Sequence, residues 1–236
     1  MVVGFKRVWD SSCPLIWDQW VDDNGTTWII QDLPPEDDEK AIKILVENLC
    51  PDETLCSLSK ISEDPESIKS ISNFWRGYLA QRMSLACYEV KDGRKKLVAL
   101  NVCLVQTQGE EVNDIVEGAS FKNLYGALKV IDDKIDAFKS LGMSQLLYAL
   151  GLVVCREYRG SKLGARILAA RKPLSLHHGV KGTATVFTGP ASQVSAARAG
   201  FTSIGTVTMK ELAENGLNYP NDEKIYVKVM IKRFDE

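Results

Sequence analysis

The sequence predicts an α/β protein of the mixed α+β type, with a central, mostly antiparallel mixed sheet of about seven strands flanked by helices. Two β-rich runs at 84–91 and 95–106 are joined by Asp92-Gly93, a dipeptide typical of a tight hairpin. An apolar run at 145–154 is followed by a helical pattern and another β-rich run, the order of a crossover between parallel strands. A chain with both kinds of connection is expected to form a mixed sheet.

Composition indicates one compact domain. The chain has 236 residues, of which 45% are hydrophobic, so it can bury a large core without a second domain. We expect residues 26–236 to form this domain. Residues 1–25 contain Trp9, Trp17 and Trp20 among Asp and Pro without helical or strand periodicity, which predicts an irregular N-terminal arm packed on the domain by its aromatic rings.

Charge and hydropathy exclude several classes of protein. The balance of 29 basic and 31 acidic residues offers no electrostatic footprint for nucleic acid or an anionic membrane. The sequence contains neither a membrane-spanning apolar stretch nor a secretory signal. Six cysteines without metal-binding spacing favour reduced thiols and no metal site. We therefore expect a cytoplasmic protein that binds neither nucleic acid nor a membrane, and we expect it to be a monomer or a weak dimer.

The first half of the chain alternates strand and helix patterns. Residues 26–32 are rich in β-branched and aromatic side chains and predict a strand that ends at Pro34-Pro35. Pro35 and the acidic residues after it suit the first turn of a helix, which Pro51 ends. Residues 50–64 favour a loop, and 67–81 a second helix.

The second half adds the crossover elements. A long helical pattern at 121–140 ends near Gly142, and 145–154 is apolar on both faces, as in a central strand. A helical segment at 161–178 contains Pro173, which predicts a kink or an early end. The remaining predicted elements are a strand at 183–187, a helix at 191–199 ended by Gly200, and strands at 202–210 and 224–232.

The segment LGLVVCREYRGSKLGARIL, residues 150–168, carries the strongest functional signal. Its helix starts without acidic residues, so free N–H groups and the positive end of the helix dipole can hold phosphate oxygens. Gly160 and Gly164 would let the backbone approach a ligand, and Arg159, Lys162 and Arg166 add positive charge. The segment lacks both the dinucleotide fingerprint and the P-loop pattern. The glycines alone are equally typical of ordinary turns and packing.

The same segment resembles the signature of the GCN5-related N-acetyltransferases, [RQ]-x-x-G-x-[GA], which here is RGSKLG at 159–164. Lys162 stands where that family usually has its first motif glycine. A closer resemblance, to the insect arylalkylamine N-acetyltransferases (dopamine N-acetyltransferase-like), runs from Trp28 to Phe234 and includes PPEDDEKAIKILVENLCPDETL. It implies the fold of that superfamily, with acetyl-CoA as cosubstrate and no metal.

The resemblance implies two sets of cofactor contacts. The backbone of Leu152, Val153 and Val154 would pair with the pantetheine arm, and an N–H near Val153 or Val154 would polarise the thioester carbonyl. The second set surrounds the diphosphate at the start of the helix: Arg159, Gly160, Ser161, Lys162, Leu163, Gly164 and Ala165.

The resemblance also implies catalytic residues. A glutamate after the first helix is that family's general base, and the match DETL at 52–55 points to Glu53. An alkylammonium must lose a proton before its nitrogen can attack, which a carboxylate acting through water can achieve. Without the family match, Glu53 would be interpreted as a solvated loop residue. Thr188 and Ser192 match hydroxyl positions that could bond the thioester or the leaving thiolate, and helix capping is the alternative.

The predicted function is direct transfer of an acetyl group from acetyl-CoA to a primary arylalkylamine of the dopamine, tyramine or serotonin type. The alternatives are another amine (polyamine, agmatine, histamine or hydrazine type), a longer acyl-CoA, or a CoA-binding protein without rapid turnover. A nucleophilic mechanism through Cys155 is disfavoured. Phe74, Trp75 and Tyr78, at helical spacing, line an aryl pocket or belong to the core.

Overall fold

The computed structural model describes residues 4–110 and 112–234. Within these ranges eight strands form one sheet, in the order β1-β2-β3-β4-β5-β6-β8-β7. Only β5 and β6 pair in parallel among these strands. The predicted mixed, mostly antiparallel sheet is therefore confirmed. The strands are Ile16–Val21 (β1), Thr27–Asp32 (β2), Leu85–Lys91 (β3), Arg94–Thr107 (β4), Gln145–Val154 (β5), Gly182–Phe187 (β6), Thr202–Thr208 (β7) and Tyr226–Arg233 (β8).

Helices cover both faces of the sheet, which separates two layers of hydrophobic core. On one face, residues of α1, α3 and α4 pack against the sheet in the larger hydrophobic cluster. On the other face, α6 packs in a second cluster together with N-terminal aromatic residues. The helices are Asp38–Ile44 (α1), Thr54–Leu58 (α2), Pro65–Leu79 (α3), Ala119–Lys134 (α4), Ala137–Leu141 (α5), Leu163–His177 (α6), Pro190–Arg198 (α7) and Met209–Glu214 (α8).

The two central strands part soon after they meet. Leu147 and Tyr148 of β5 pair with β6, whereas both strands continue beyond this point without further pairing between the described residues. At the same place β5 bulges, because Ala149 pairs with Cys103 and Leu152 with Asn101 of β4, which leaves two residues of β5 opposite one of β4. A gap therefore opens between β5 and β6 in the middle of the sheet.

The expectation of an irregular N-terminal arm is wrong for residues 16–21. This segment is β1, an edge strand antiparallel to β2, and Trp20 stacks on Trp28 with ring centroids 6.1 Å apart. An edge strand that is half exposed needs no regular alternation of apolar residues, so its sequence gave no strand signal. Residues 1–3 of the predicted arm lie outside the described part of the chain.

Beyond shifts of one or two residues, the structure departs from the prediction at four further places. The loop expected at 50–64 contains α2, and the helix expected at 121–140 divides into α4 and α5 at the extended residue Ile135. The strand expected at 202–210 ends at Thr208, whose capping box with Glu211 starts α8. α6 runs through Pro173 to His177, so the early end expected there is wrong.

Candidate active site

A cavity of about 840 Å³ opens at the gap between β5 and β6. It extends from the start of α6 to an aromatic wall formed by α3 and α4. Of the predicted site residues, Ser161 and Ala165 lie beside the cavity without lining it. The others all line it: Glu53, Leu152, Val153, Val154, Arg159, Gly160, Lys162, Leu163, Gly164, Thr188 and Ser192.

The start of α6 has the features that the sequence predicted for an anion site. No side chain caps its first turn and no acidic residue lies in it. Ser161 does not cap the helix, because its hydroxyl donates to the Tyr158 carbonyl. A Cβ added at Gly164 would meet nothing closer than the Ser195 hydroxyl, 3.9 Å away. The first N–H groups of α6 therefore face open space into which a ligand can enter.

Lys162 occupies a left-handed backbone conformation, with φ of 64° and ψ of 12°. This conformation favours glycine, because a Cβ there crowds the following carbonyl. It explains why the resembled family usually has glycine at this position. The chain keeps the same turn with a lysine, at a conformational cost.

Lys162→Gly is expected to raise the free energy of unfolding by about 1 kcal/mol, since glycine removes that cost. Chemical denaturation measures the change. Lys172→Gly is the matched control, because the exposed Lys172 lies inside α6, where glycine should lower stability by about 1 kcal/mol. An equal decrease in the free energy of unfolding in both variants would contradict the left-handed turn at Lys162.

The three cations predicted around the diphosphate have different partners. Arg159 binds Asp52, with Nη1 and Oδ2 2.7 Å apart, and also donates to the Asn48 carbonyl at 2.9 Å. Arg166 pairs with Asp18 at 3.0 Å and lies over the Trp20 ring. Lys162 is the one of the three that makes no ion pair with the residues described. Its amine is therefore available to an anionic ligand at the helix start.

Asp52 joins the loop before α2 to the segment after β5. Its carboxylate accepts from Arg156 at 2.9 Å as well as from Arg159. Hydrogen bonds from Arg156 and Arg159, with their positive charges, lower the pKa of Asp52 to about 2. This double ion pair holds the neighbouring residue, Glu53, at the edge of the cavity.

Glu53 is the N-cap of α2. Its Oε1 accepts from the Leu55 N–H at 3.1 Å and its Oε2 from the Cys56 N–H at 2.7 Å. The Thr188 hydroxyl donates to Oε1 from the opposite side. The fold thus brings Glu53 and Thr188 together from positions 135 residues apart in the sequence. The carboxylate is half-buried, firmly oriented, and directed at the cavity it lines.

Ser192 makes the contacts of a helix cap. Its hydroxyl donates to the Gly189 carbonyl at 2.8 Å, and its oxygen accepts from the Gly189 N–H at 3.3 Å. The capping alternative raised by the sequence is therefore present in the structure, at a residue that also lines the cavity.

Aromatic residues of α3 and α4 form the far wall of the cavity. Phe74 packs edge-on against Tyr78, Phe121 and Tyr125, with centroids 4.7, 5.4 and 6.3 Å apart. Asp114 accepts from the Tyr78 hydroxyl at 3.0 Å and from the Tyr125 hydroxyl at 3.0 Å. Tyr78 is buried, as the core interpretation of the stripe on α3 requires, and it also lines the cavity.

Asp132 is a second carboxylate on the cavity wall. Its side chain remains accessible to solvent, but the surrounding cavity wall removes part of the water from its carboxylate. Burial, with a smaller contribution from the charge of Asp133, raises its pKa from 3.8 to about 6. The sequence analysis missed both Asp114 and Asp132, since neither belongs to a motif.

Asp132→Asn is expected to stabilise the protein at neutral pH. The folded-state pKa lies above the unfolded value, so the folded state binds more protons between pH 3.8 and about 6, and stability falls as pH rises through this window. Asparagine does not titrate, so the variant does not lose stability in this pH window. Thermal unfolding from pH 4 to 8 should show a difference between variant and wild type that grows up to about pH 7; a constant difference would contradict the raised pKa.

A nucleophilic cysteine finds no support in the site. Burial raises the pKa of the Cys155 thiol, the opposite of what a nucleophilic cysteine needs.

In the described parts of the chain no group of three or more His, Cys, Asp or Glu is arranged to hold a metal ion. No helix in these parts combines the length and apolarity that crossing a bilayer requires.

Comparison with solved structures identifies the architecture. The mosquito (Aedes aegypti) protein called arylalkylamine N-acetyltransferase 7 is 30% identical, with a TM-score of 0.89, and the match covers 98% of this chain and 100% of that one. Arylalkylamine N-acetyltransferase 2 of the same mosquito is 18% identical, with a TM-score of 0.75 over 88% of this chain and 99% of that one. Drosophila melanogaster polyamine N-acetyltransferase is 14% identical, with a TM-score of 0.69 over 88% and 100%. The last two likenesses concern the fold. No family model and no curated protein matches the sequence.

The fold is that of the GCN5-related N-acetyltransferases, an acyltransferase superfamily. Within that superfamily, the match over nearly the whole chain is to an insect protein. The chain belongs to the family of the insect arylalkylamine N-acetyltransferases.

Proposed function

We propose that this protein transfers the acetyl group of acetyl-CoA to a primary arylalkylamine. One observation carries the proposal: a single cavity joins the uncapped start of α6, the gap between β5 and β6, the Glu53–Thr188 pair and an aromatic wall. These are, in order, sites for a diphosphate, for an extended amide chain, for proton removal and for an aryl group.

Acetyl-CoA binds along the first two of these sites. Its diphosphate meets the N–H groups of Leu163, Gly164 and Ala165 and the Lys162 amine. Its pantetheine arm enters the gap and pairs with the β5 backbone at Leu152–Val154. The N–H near Val153 or Val154 polarises the thioester carbonyl as negative charge develops on its oxygen.

The transfer is direct. Glu53 accepts one proton from the bound ammonium, through water, and the nitrogen lone pair then attacks the thioester carbon. The C–N bond forms, the C–S bond breaks, and its electron pair leaves with sulfur. A second nitrogen proton passes to the thiolate, and the third stays on nitrogen as the amide N–H. The hydroxyls of Thr188 and Ser192 line the cavity and would turn from Glu53 and the Gly189 carbonyl to stabilise the thiolate. No covalent enzyme intermediate is required.

One observation favours a second class of acceptor. Asp114 and Asp132 place carboxylates on the wall opposite the gap, where they would attract a second cationic group of the amine. An acceptor of the polyamine or agmatine type is therefore the alternative to an arylalkylamine. The aromatic rings of the same wall can also contact a cation.

An acceptor panel tests the proposal. Acetyl-CoA is supplied with tyramine, dopamine, serotonin, histamine or agmatine, and release of free thiol is measured. Faster release with the first three supports an arylalkylamine acceptor, and faster release with agmatine supports the alternative. Tight acetyl-CoA binding without amine-dependent release would contradict both and indicate a CoA-binding protein.

A further inference from the structure

Arg171 of α6 is a fully buried guanidinium, with 0% of its surface exposed. Its hydrogen-bond acceptors are neutral: Asn101 Oδ1 at 2.9 and 2.7 Å, Thr185 Oγ1 at 2.8 Å and Thr183 Oγ1 at 3.3 Å. No carboxylate among the described residues forms a salt bridge with it. Among these residues the charge is therefore compensated by neutral groups alone, with the Phe201 ring centroid 5.6 Å from the guanidinium carbon. A guanidinium buried without a carboxylate is costly unless such partners hold it in one geometry.

The contacts of Arg171 surround the point where β5 and β6 part. Thr183 and Thr185 belong to β6, and Asn101 belongs to β4. Thr183 connects this group to β5, because its hydroxyl donates to the Leu147 carbonyl at 2.6 Å. Leu147 and Thr183 form one of the two residue pairs that join β5 to β6 in the described part of the chain. One planar side chain thus links both sides of the gap at its closed end.

The same network reaches the bulge of β5. Asn101 accepts from Arg171 and, through Nδ2, donates to the Gly151 carbonyl at 2.8 Å. From the other face of the sheet, Trp75 Nε1 donates to the Leu150 carbonyl at 2.8 Å. Both carbonyls of the bulge are therefore fixed. This sets the direction of the peptide groups that follow, at Leu152–Val154.

We propose that Arg171 is a positioning residue that sets the width of the gap and, through Asn101, the orientation of the β5 backbone beside it. A thioester held in the gap would then meet correctly placed N–H groups. A guanidinium suits this role because its forked donors reach Asn101 and the two threonines at once, which a lysine amine cannot do. The inference rests on the proposed acetyl-CoA reaction.

Two binding measurements distinguish the contribution of the gap to CoA affinity from the contribution of the diphosphate site. Calorimetry with CoA reports on both, whereas 3′-phosphoadenosine 5′-diphosphate, which lacks pantetheine, reports on the start of α6 alone. In Arg171→Lys and Thr185→Val, the affinity for this fragment is expected to stay within about twofold of the wild-type value. The affinity for CoA is expected to fall, so the ratio of the two affinities decreases. Both substitutions are also expected to lower kcat by about ten- to a hundredfold, because small misplacements of reacting groups are costly.

Thr185→Val keeps the size of the side chain and removes one acceptor of Arg171, so it tests the proposal even where Arg171→Lys does not fold. Thr185→Ser restores the hydroxyl and should recover the kcat that Thr185→Val loses. Unchanged kcat in Thr185→Val, or parallel losses of fragment affinity, CoA affinity and melting temperature, would overturn the positioning role. A wild-type protein that binds neither compound would instead overturn the proposed function.

Discussion

Glu53→Gln is expected to lower kcat for acetyl transfer at neutral pH by about ten- to a thousandfold, with little change in acetyl-CoA affinity. The amide retains the shape of the side chain but cannot accept the proton of the ammonium. Steady-state kinetics with a saturating amine, together with calorimetry for acetyl-CoA, separates the two quantities. Turnover close to that of the wild type would refute the general-base assignment.

Glu53 also caps α2, so its substitution affects folding as well as catalysis. Glutamine keeps only one acceptor oxygen for the two N–H groups, and we expect a loss of about 1 kcal/mol in stability. Asp64→Asn is the control, because Asp64 also caps a helix, α3, with a carboxylate and lies outside the cavity. Its Oδ1 accepts both helix N–H groups, and its Oδ2 accepts from the Ser120 N–H, a bond that the amide can lose. The Asp64→Asn variant should lose similar stability and keep its kcat.

Gly164→Ala is expected to lower acetyl-CoA affinity by about 5- to 150-fold, the range that corresponds to an overpacking cost of 1–3 kcal/mol. The protein itself leaves room for a methyl group at this position, since the nearest atom lies 3.9 Å from the added Cβ. The methyl group would instead enter the space into which the first N–H groups of α6 point. Calorimetry with acetyl-CoA measures the loss.

The same substitution should stabilise the protein without ligand by up to about 1 kcal/mol, because alanine favours a helix more than glycine does. Affinity and stability are thus expected to change in opposite directions. Ala169→Gly, on the exposed side of α6 and away from the cavity, is the control and should lower stability without affecting affinity. An unchanged affinity in Gly164→Ala would place the diphosphate elsewhere.

Much of the fold could be predicted because its signals are local. The Asp92-Gly93 hairpin has positive φ at both residues, as the dipeptide indicated, and the apolar run at 145–154 is β5. The edge strand β1 could not be predicted, because its position depends on pairing with β2 rather than on its own pattern. The five residues of α2 likewise depend on the cap that Glu53 provides.

The candidate site divides in the same way. The anion site at the start of α6 could be predicted because consecutive residues form it, and Glu53 could be predicted from a short motif. Asp114 and Arg171 carry no such signal, since their importance comes from partners far apart in the sequence. Arg171 meets Asn101 across 70 residues, and nothing in the sequence of α6 shows which of its basic residues is buried. The left-handed conformation of Lys162 explains why glycine is usual at this position, a preference that the sequence could only register.

The division of the sheet between β5 and β6 has a consequence for what can enter it. Peptide groups that face the gap lack strand partners and, in solution, must bond to water. A guest that carries amides at intervals replaces those waters one for one, whereas a hydrocarbon guest leaves donors and acceptors unsatisfied at roughly 1–3 kcal/mol each. The backbone therefore discriminates among guests by polarity, before any side chain takes part.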